Sequence, residues 1–183
     1  FIVGCTDPAR PLPAALADYL GRFGCPVLRM RYESAELAKI AINCFLAASV
    51  STTNTLAELS EAIGADWAEI IPALRLDARI GPKAYLAPGL GIAGGNLERD
   101  LATIRKLADE SGTDTAVIAA YIENSRHMAG WAWRTLQKVL GDCRHPRIGV
   151  LGLAYKPGTH SVRNRPSLAL LRMARDCAVS VHD

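Results

Sequence analysis

The stretch from Ser34 to Gly64 constrains this chain most, because apolar residues recur through it at helical spacing. Leu37, Ile40, Ala41, Cys44, Ala48, Leu56 and Leu59 make one apolar face. Ser34 is a good N-cap, and Glu33 and Glu36 suit the positive end of a helix dipole. Gly64 is a fitting C-terminal residue. One helix over this span is roughly twice the globular mean or more. It offers more apolar face than one small domain can cover, so it is expected to span a domain or an oligomer interface.

The rest of the chain reads around that helix. Phe1-Ile-Val-Gly4 is strand-like, Pro13 to Phe23 has helical composition, and Pro26 to Tyr32 is extended. This is a β-α-β piece, as at the end of a doubly wound sheet. A short helix follows from Ala65-Asp66 to about Leu74, and Leu76 to Gly95 is irregular, with turn signals at Gly81-Pro82 and Pro88-Gly89. Leu97 to Glu110 and Thr113 to Leu140 read as helices. Arg147 to Ala154 reads as a buried strand, followed by a loop, a helix from Pro166 to Cys177 and a last strand at Val179–Asp183. Both terminal strands are too short to stand alone, so an internal piece of a longer protein is expected.

Composition narrows the function classes. With 183 residues and 50% hydrophobic content the chain can bury a real core. The net charge is +3, with no basic run or basic-aromatic patch, which speaks against nucleic-acid binding. Cys5, Cys25, Cys44, Cys143 and Cys177 are scattered and odd in number, and fit a reduced, cytoplasmic protein better than a disulfide scaffold. The cysteines and the four histidines form no metal pattern, so no metal is expected. Neither a signal peptide nor a membrane span is read; the most apolar stretch, Ile40 to Val50, is short and contains Asn43.

Four segments carry candidate chemistry. Tyr85 to Asp100 is a glycine-rich loop running into a helix, which lets backbone N–H groups approach an anion closely. Within it Gly89-Leu-Gly-Ile-Ala-Gly94 formally matches G-x-G-x-x-G, but it follows a proline-broken loop and not a strand, so it reads as a substrate loop and not a dinucleotide fingerprint. A glycine-rich turn without a ligand is the alternative. Lys39 and Asn43, four apart, share a helix face, with Asn54 near the same azimuth; a desolvated lysine there reaches acid-base range. A surface lysine and a packing amide are the alternative. Lys156 and Arg163 flank the carboxyl end of a strand, where ligands of open α/β sheets collect; a solvated loop fits as well. Arg79, in Asp77-Ala-Arg-Ile-Gly-Pro-Lys83, either reaches a phosphate, within its own chain or across a subunit boundary, or is surface charge.

Together these segments resemble the UDP-glucose/GDP-mannose dehydrogenase family. Glu36 to Ala47 is similar to its helix signature with lysine and asparagine, and Asp77 to Lys83 to its R-I-G loop. Gly91 to Asp100 resembles its G-x-G-G-x-C-x-x-K-D loop, and Leu151 to Thr159 its G-L-A-F-K-P-x-T segment. The resemblance implies an α/β fold overall: a central all-α dimerisation domain with a long helix, flanked by partial Rossmann-like β-α-β pieces. Residues 1–32 would be the tail of an N-terminal NAD-binding domain. Residues 33–143 would be the central helical domain, and 144–183 the start of a nucleotide-sugar (UDP) binding domain. It also implies a cytoplasmic oxidoreductase of polysaccharide biosynthesis, a homodimer through the central helices, acting on a UDP- or GDP-linked hexose with NAD as cofactor.

By resemblance Lys39 and Asn43 polarise the C6 oxygen and position water, and Asp100 assists acid-base steps. Arg79, Tyr85, Gly91, Gly94 and Lys156 hold the nucleotide sugar; Arg99 and Arg163 lie towards the cofactor. Asn96 stands where the family has its cysteine nucleophile, Arg99 where it has lysine, and His160 and Ser161 replace two carboxylates. A thiolate forms the family's covalent intermediates and an amide cannot. The expectation is therefore C6 alcohol oxidation with the second oxidation compromised, the isolated chain being inactive. A non-catalytic nucleotide-sugar-binding relative or partner subunit is the main alternative. A 6-phosphogluconate-type β-hydroxyacid dehydrogenase is the other; the α/β start at Arg147 argues against it.

Overall fold

The structure is a computed structural model that describes residues 1–92, 95–153 and 166–182. It divides into two compact units, Phe1–Asn43 and Cys44–Asp183, with the boundary inside one helix.

In the first unit β1 (Ile2–Gly4), α1 (Ala14–Gly21) and β2 (Leu28–Met30) form a parallel β-α-β unit, with Ile2 opposite Leu28 and Gly4 opposite Met30. The ladder continues at both ends, from Leu28 N–H to the Phe1 carbonyl and from Cys5 N–H to the Met30 carbonyl, each 2.8 Å. A parallel pair needs such a crossover helix. Phe23 packs edge-on against Phe1 and Tyr19, with centroids 5.2 and 5.5 Å apart. β1 ends on Gly4 because α2 (Tyr32–Ile63) starts against it: a Cβ there would stand 3.1 Å from the Tyr32 ring.

The expected long helix is thus present and runs for 32 residues. By length and composition α2 is also apolar enough to cross a membrane, with a mean hydropathy of 1.3 over its best window. The sequence reading, weighing only Ile40–Val50, missed this. What α2 buries, however, includes Asn43, Ser51, Thr53, Asn54 and Ser60 beside Ala47 and Ala57. Of these, Thr53 and Asn54 bond backbone groups outside the helix, at Tyr85 and Gly89.

The second unit packs α3 (Trp67–Leu76), α4 (Asn96–Ser111), α5 (Ala116–Ala129), α6 (Trp131–Leu140) and α7 (Pro166–Met173) with strands β3 (Arg147–Leu151) and β4 (Ala178–His182). One core cluster joins Ala47 of α2, Ile92, Leu101 of α4 and Ile118 of α5, with Leu97, Ile104, Tyr121 and Ile122 around it. The i, i+4, i+7 spacing of Leu97, Leu101 and Ile104 puts them on one stripe of α4. α4 stops at Gly112, whose left-handed φ of 66° lets Thr113 N–H turn back to the Ala108 carbonyl at 2.9 Å. A second cluster joins Ile148 and Val150 of β3 and Ala174, with Trp133, Leu136 and Leu140 of α6 against them. β3 and β4 are parallel, with Ile148 opposite Val179.

The single helix expected over Thr113–Leu140 is two helices that break at Gly130. Gly130 keeps helical angles, φ −88° and ψ −7°, and its missing side chain leaves room beside Arg134 Nη1, which lies 2.9 Å from where a Cβ would stand. Arg134 then donates to the His127 carbonyl at 2.8 Å and to Glu58 Oε1 on α2 at 2.9 Å. His127 Nε2 meets Glu58 Oε2 at 2.7 Å, and Trp131 Nε1 donates to Glu61 at 3.1 Å. Three helices are braced through one carboxylate.

Partial burial pushes the Glu58 pKa up, but hydrogen bonds and charge from Arg134 and His127 outweigh it and hold Glu58 below its ordinary value. A depressed carboxylate pKa gives stability that is present above the unfolded-state value and lost as pH falls through the folded one. Urea unfolding midpoints of the chain should therefore decline below about pH 4.5, and Glu58→Gln should start lower and flatten that acid limb. An unchanged acid limb in the variant would show that Glu58 does not act as the brace.

Candidate functional site

The glycine-rich loop and the start of α4 form the candidate site of the second unit. Between α3 and α4 the backbone is irregular, so its polar groups need partners from elsewhere. α2 and α3 supply them. Thr53 Oγ1 donates to the Tyr85 carbonyl at 2.8 Å, and Trp67 Nε1 to the Leu86 carbonyl at 2.9 Å. Gly89 N–H donates to Asn54 Oδ1 at 2.8 Å. Asn54 is 0% exposed and Thr53 2%. Further along, Ile92 N–H donates to Ser125 Oγ on α5 at 2.8 Å.

These anchors fix the loop residues singled out from the sequence. Tyr85 has its carbonyl held while its side chain is 58% exposed, available to a ligand. Gly91 has φ +84°, and a Cβ there would stand 2.5 Å from the Ser125 carbonyl oxygen. Both the left-handed backbone and the close approach demand glycine. Gly94 lies outside the described residues, as do Lys156, Arg163, His160 and Ser161.

Asn96 begins α4 and is exposed; the residue before it, Gly95, makes no side-chain cap. Asp100, one turn on, is only 4% exposed, and Arg99 donates to its Oδ1 from Nε and Nη2, both at 3.1 Å. Arg99, placed by resemblance towards the cofactor, is thus engaged with the neighbouring carboxylate. Arg79 pairs with Asp77, its Nη2 2.6 Å from Oδ2. Cys44, packed beside the core cluster that holds Leu97, has its thiol pKa raised by burial, the opposite of what a thiolate nucleophile needs.

In the first unit Lys39 and Asn43 lie on the first turns of α2. Asn43 is buried at 9% exposure. Lys39 is exposed and lines an open groove of ≈ 870 Å³ with Glu36, Tyr32 and Leu28.

The sequence reading missed Thr53, Trp67 and Ser125. A signal for the first was present: Ser51-Thr-Thr-Asn-Thr55 interrupts an apolar helix with polar residues, which pays only where something needs hydrogen bonds. Nothing local marks Ser125, whose partner lies 33 residues away.

Gly91→Ala should destabilise the chain by about 2 kcal/mol through strain and overlap, and hydrogen exchange at the amides of residues 89–92 should rise. Unchanged exchange there would mean that the loop accommodates a side chain and that Ser125 does not clamp it.

Residues 33–126 match the UDP-glucose/GDP-mannose dehydrogenase family, central domain. UDP-glucose 6-dehydrogenase TuaD of Bacillus subtilis is 35% identical over 169 residues, spanning 92% of this chain and 36% of TuaD. UDP-glucose 6-dehydrogenase AglM of Haloferax volcanii is 33% identical over 156 residues, spanning 85% of this chain and 36% of AglM. The solved UDP-glucose dehydrogenase of the archaeon Pyrobaculum islandicum superposes with a TM-score of 0.86 at 30% identity, over 98% of this chain and 41% of that one. The chain thus spans well under half the length of these relatives. With a central-domain match across half its residues and a fold shared along nearly all of it, this chain belongs to the UDP-glucose/GDP-mannose dehydrogenase family.

Proposed function

We propose that the full-length protein containing this chain binds a nucleoside-diphosphate hexose and oxidises its C6 alcohol, stopping at the aldehyde. The observation that carries this is Asn96. It opens α4 at the end of a loop anchored by Thr53, Trp67, Asn54 and Ser125, at the position where the family loop has cysteine. The binding loop is kept while the nucleophile is not.

Among the described residues no strand leads directly into Gly89, and β1 and β2 carry no glycine-rich turn, so they form no dinucleotide cradle. NAD is the cofactor that family membership suggests for the whole protein, held by residues outside this description. The contribution of this chain is to the sugar. Tyr85 and the amides around Gly91 would take the nucleotide, and Arg79, Gly94 and Lys156 would add contacts to the diphosphate. Lys39 would stabilise the negative charge that develops on O6 as the alcohol loses its proton, an effect worth ~3 kcal/mol in a closed site. Asn43 would orient O6 by hydrogen bonding. Asp100, hydrogen-bonded by Arg99, would assist proton transfer, with Arg99 and Arg163 towards the cofactor.

The second oxidation is a different matter. Hydrolysis through a thioester needs a nucleophile that adds to the aldehyde and later leaves. The amide of Asn96 does neither. A relative that binds nucleotide sugar without turnover is the second reading, favoured by the same residue.

In the full-length protein supplied with UDP-glucose or GDP-mannose and NAD, one NADH should form per sugar, with aldehyde found by mass spectrometry. Lys39→Ala should abolish NADH formation and leave sugar binding nearly intact. Uronic acid with two NADH per sugar would overturn the proposal; binding with no NADH would select the second reading.

A homodimer through the central helices fits the same picture. On α2, Phe45, Leu59 and Ile63 are 78%, 51% and 70% exposed, and their spacing puts them on one stripe. Sedimentation should give a dimer at micromolar concentration, with Phe45→Glu shifting it to monomer; a wild-type monomer would refute the interface.

A further inference from the structure

The loop after α3 contains an arrangement that neither fold nor stability explains. Asp77 ends the helix, and its carbonyl accepts Ile80 N–H at 3.0 Å and Gly81 N–H at 2.8 Å, which closes a tight turn. Its carboxylate then takes three hydrogen bonds from one residue. Oδ1 accepts Arg79 N–H at 2.9 Å and Nε–H at 3.0 Å, and Oδ2 accepts Nη2–H at 2.6 Å. The Arg79 side chain is nonetheless 90% exposed. Exposed pairs contribute little to stability, so what this one achieves is orientation.

The geometry is informative about what remains. A guanidinium has five N–H groups in a rigid fork. The carboxylate takes the side-on edge, Nε and one hydrogen of Nη2. The end-on edge, made of Nη1 and the other hydrogen of Nη2, has no partner among the described residues. That edge matches two oxygens of a phosphate in a bidentate contact. The guanidinium also holds the Asp77 carboxyl below its usual range, so the pair stays ionised where the protein works.

We propose that Asp77 is a positioning residue for the nucleotide sugar: it locks Arg79 side-on so that the end-on edge of the guanidinium is presented, already ordered, to the diphosphate. This rests on the nucleotide-sugar reading above and assigns Asp77 a part in it. An unconstrained arginine loses rotamer freedom when it clamps a ligand, and Asp77 removes that loss before binding.

The test uses the full-length protein and its Asp77→Ala, Asp77→Asn, Arg79→Ala and doubly substituted variants. UDP-glucose and GDP-mannose affinities are measured by calorimetry at one fixed ionic strength, beside KM, kcat and thermal midpoints. Asp77→Ala should weaken binding about five-fold and raise KM likewise, with kcat changed by less than about two-fold. Asp77→Asn, which keeps one acceptor without the charge, should fall between. In the Arg79→Ala background, Asp77→Ala should change nothing more.

Unchanged affinity in Asp77→Ala, or tighter binding, would overturn the proposal; tighter binding would mean that Asp77 competes with the phosphate. Additive losses in the double variant, or losses that track a collapsed thermal midpoint and are not relieved in Asp77→Asn, would overturn it as well. A wild-type protein that binds neither sugar nucleotide would reject the nucleotide-sugar reading itself, and the role of Asp77 with it.

Discussion

A buried amide inside an apolar helix holds the functional loop of the second unit. Asn54 is fully buried, and its Oδ1 accepts the Gly89 N–H. A loop without regular structure leaves backbone groups without ladder partners. α2 meets that need with Thr53 and Asn54, and Trp67 adds a third bond. The loop therefore takes its rigidity from a long helix.

The far end of α2 is fixed by charge. Glu58 receives Arg134 and His127, and so ties α2 to α5 and α6. Gly130, where α5 gives way to α6, leaves room beside the Arg134 guanidinium. The first turn of α4 shows charge used differently. Arg99 keeps a positive partner on the nearly buried Asp100, although it is a fork and not the point charge of a lysine.

The helices and strands were legible in the sequence because apolar spacing and turn residues act locally; each expected element is present within a few residues, apart from the one divided at Gly130. The candidate site was legible in part. The four segments could be recognised from residue types in order along the chain; Gly91 reads in the sequence as leaving room for an anion, and in the structure it leaves room for the Ser125 carbonyl at a left-handed φ. The clamps could not be read. Ser125 looks like any other helical serine until α5 is packed beneath Ile92. The sequence leaves both a desolvated and a surface Lys39 open, because adjacency along a helix says nothing about which azimuth is covered.

The sequence alone thus determined the family, the long helix and the absence of a thiol at position 96, since each is a matter of residue identity and spacing. Tertiary structure alone decided how those residues are held: Asn54 on Gly89, 35 residues away, Arg134 on Glu58, 76 away, and Arg99 turned onto Asp100. A hydrogen bond depends on where two groups meet in space. For partners that far apart only the packing of helices against one another sets that meeting.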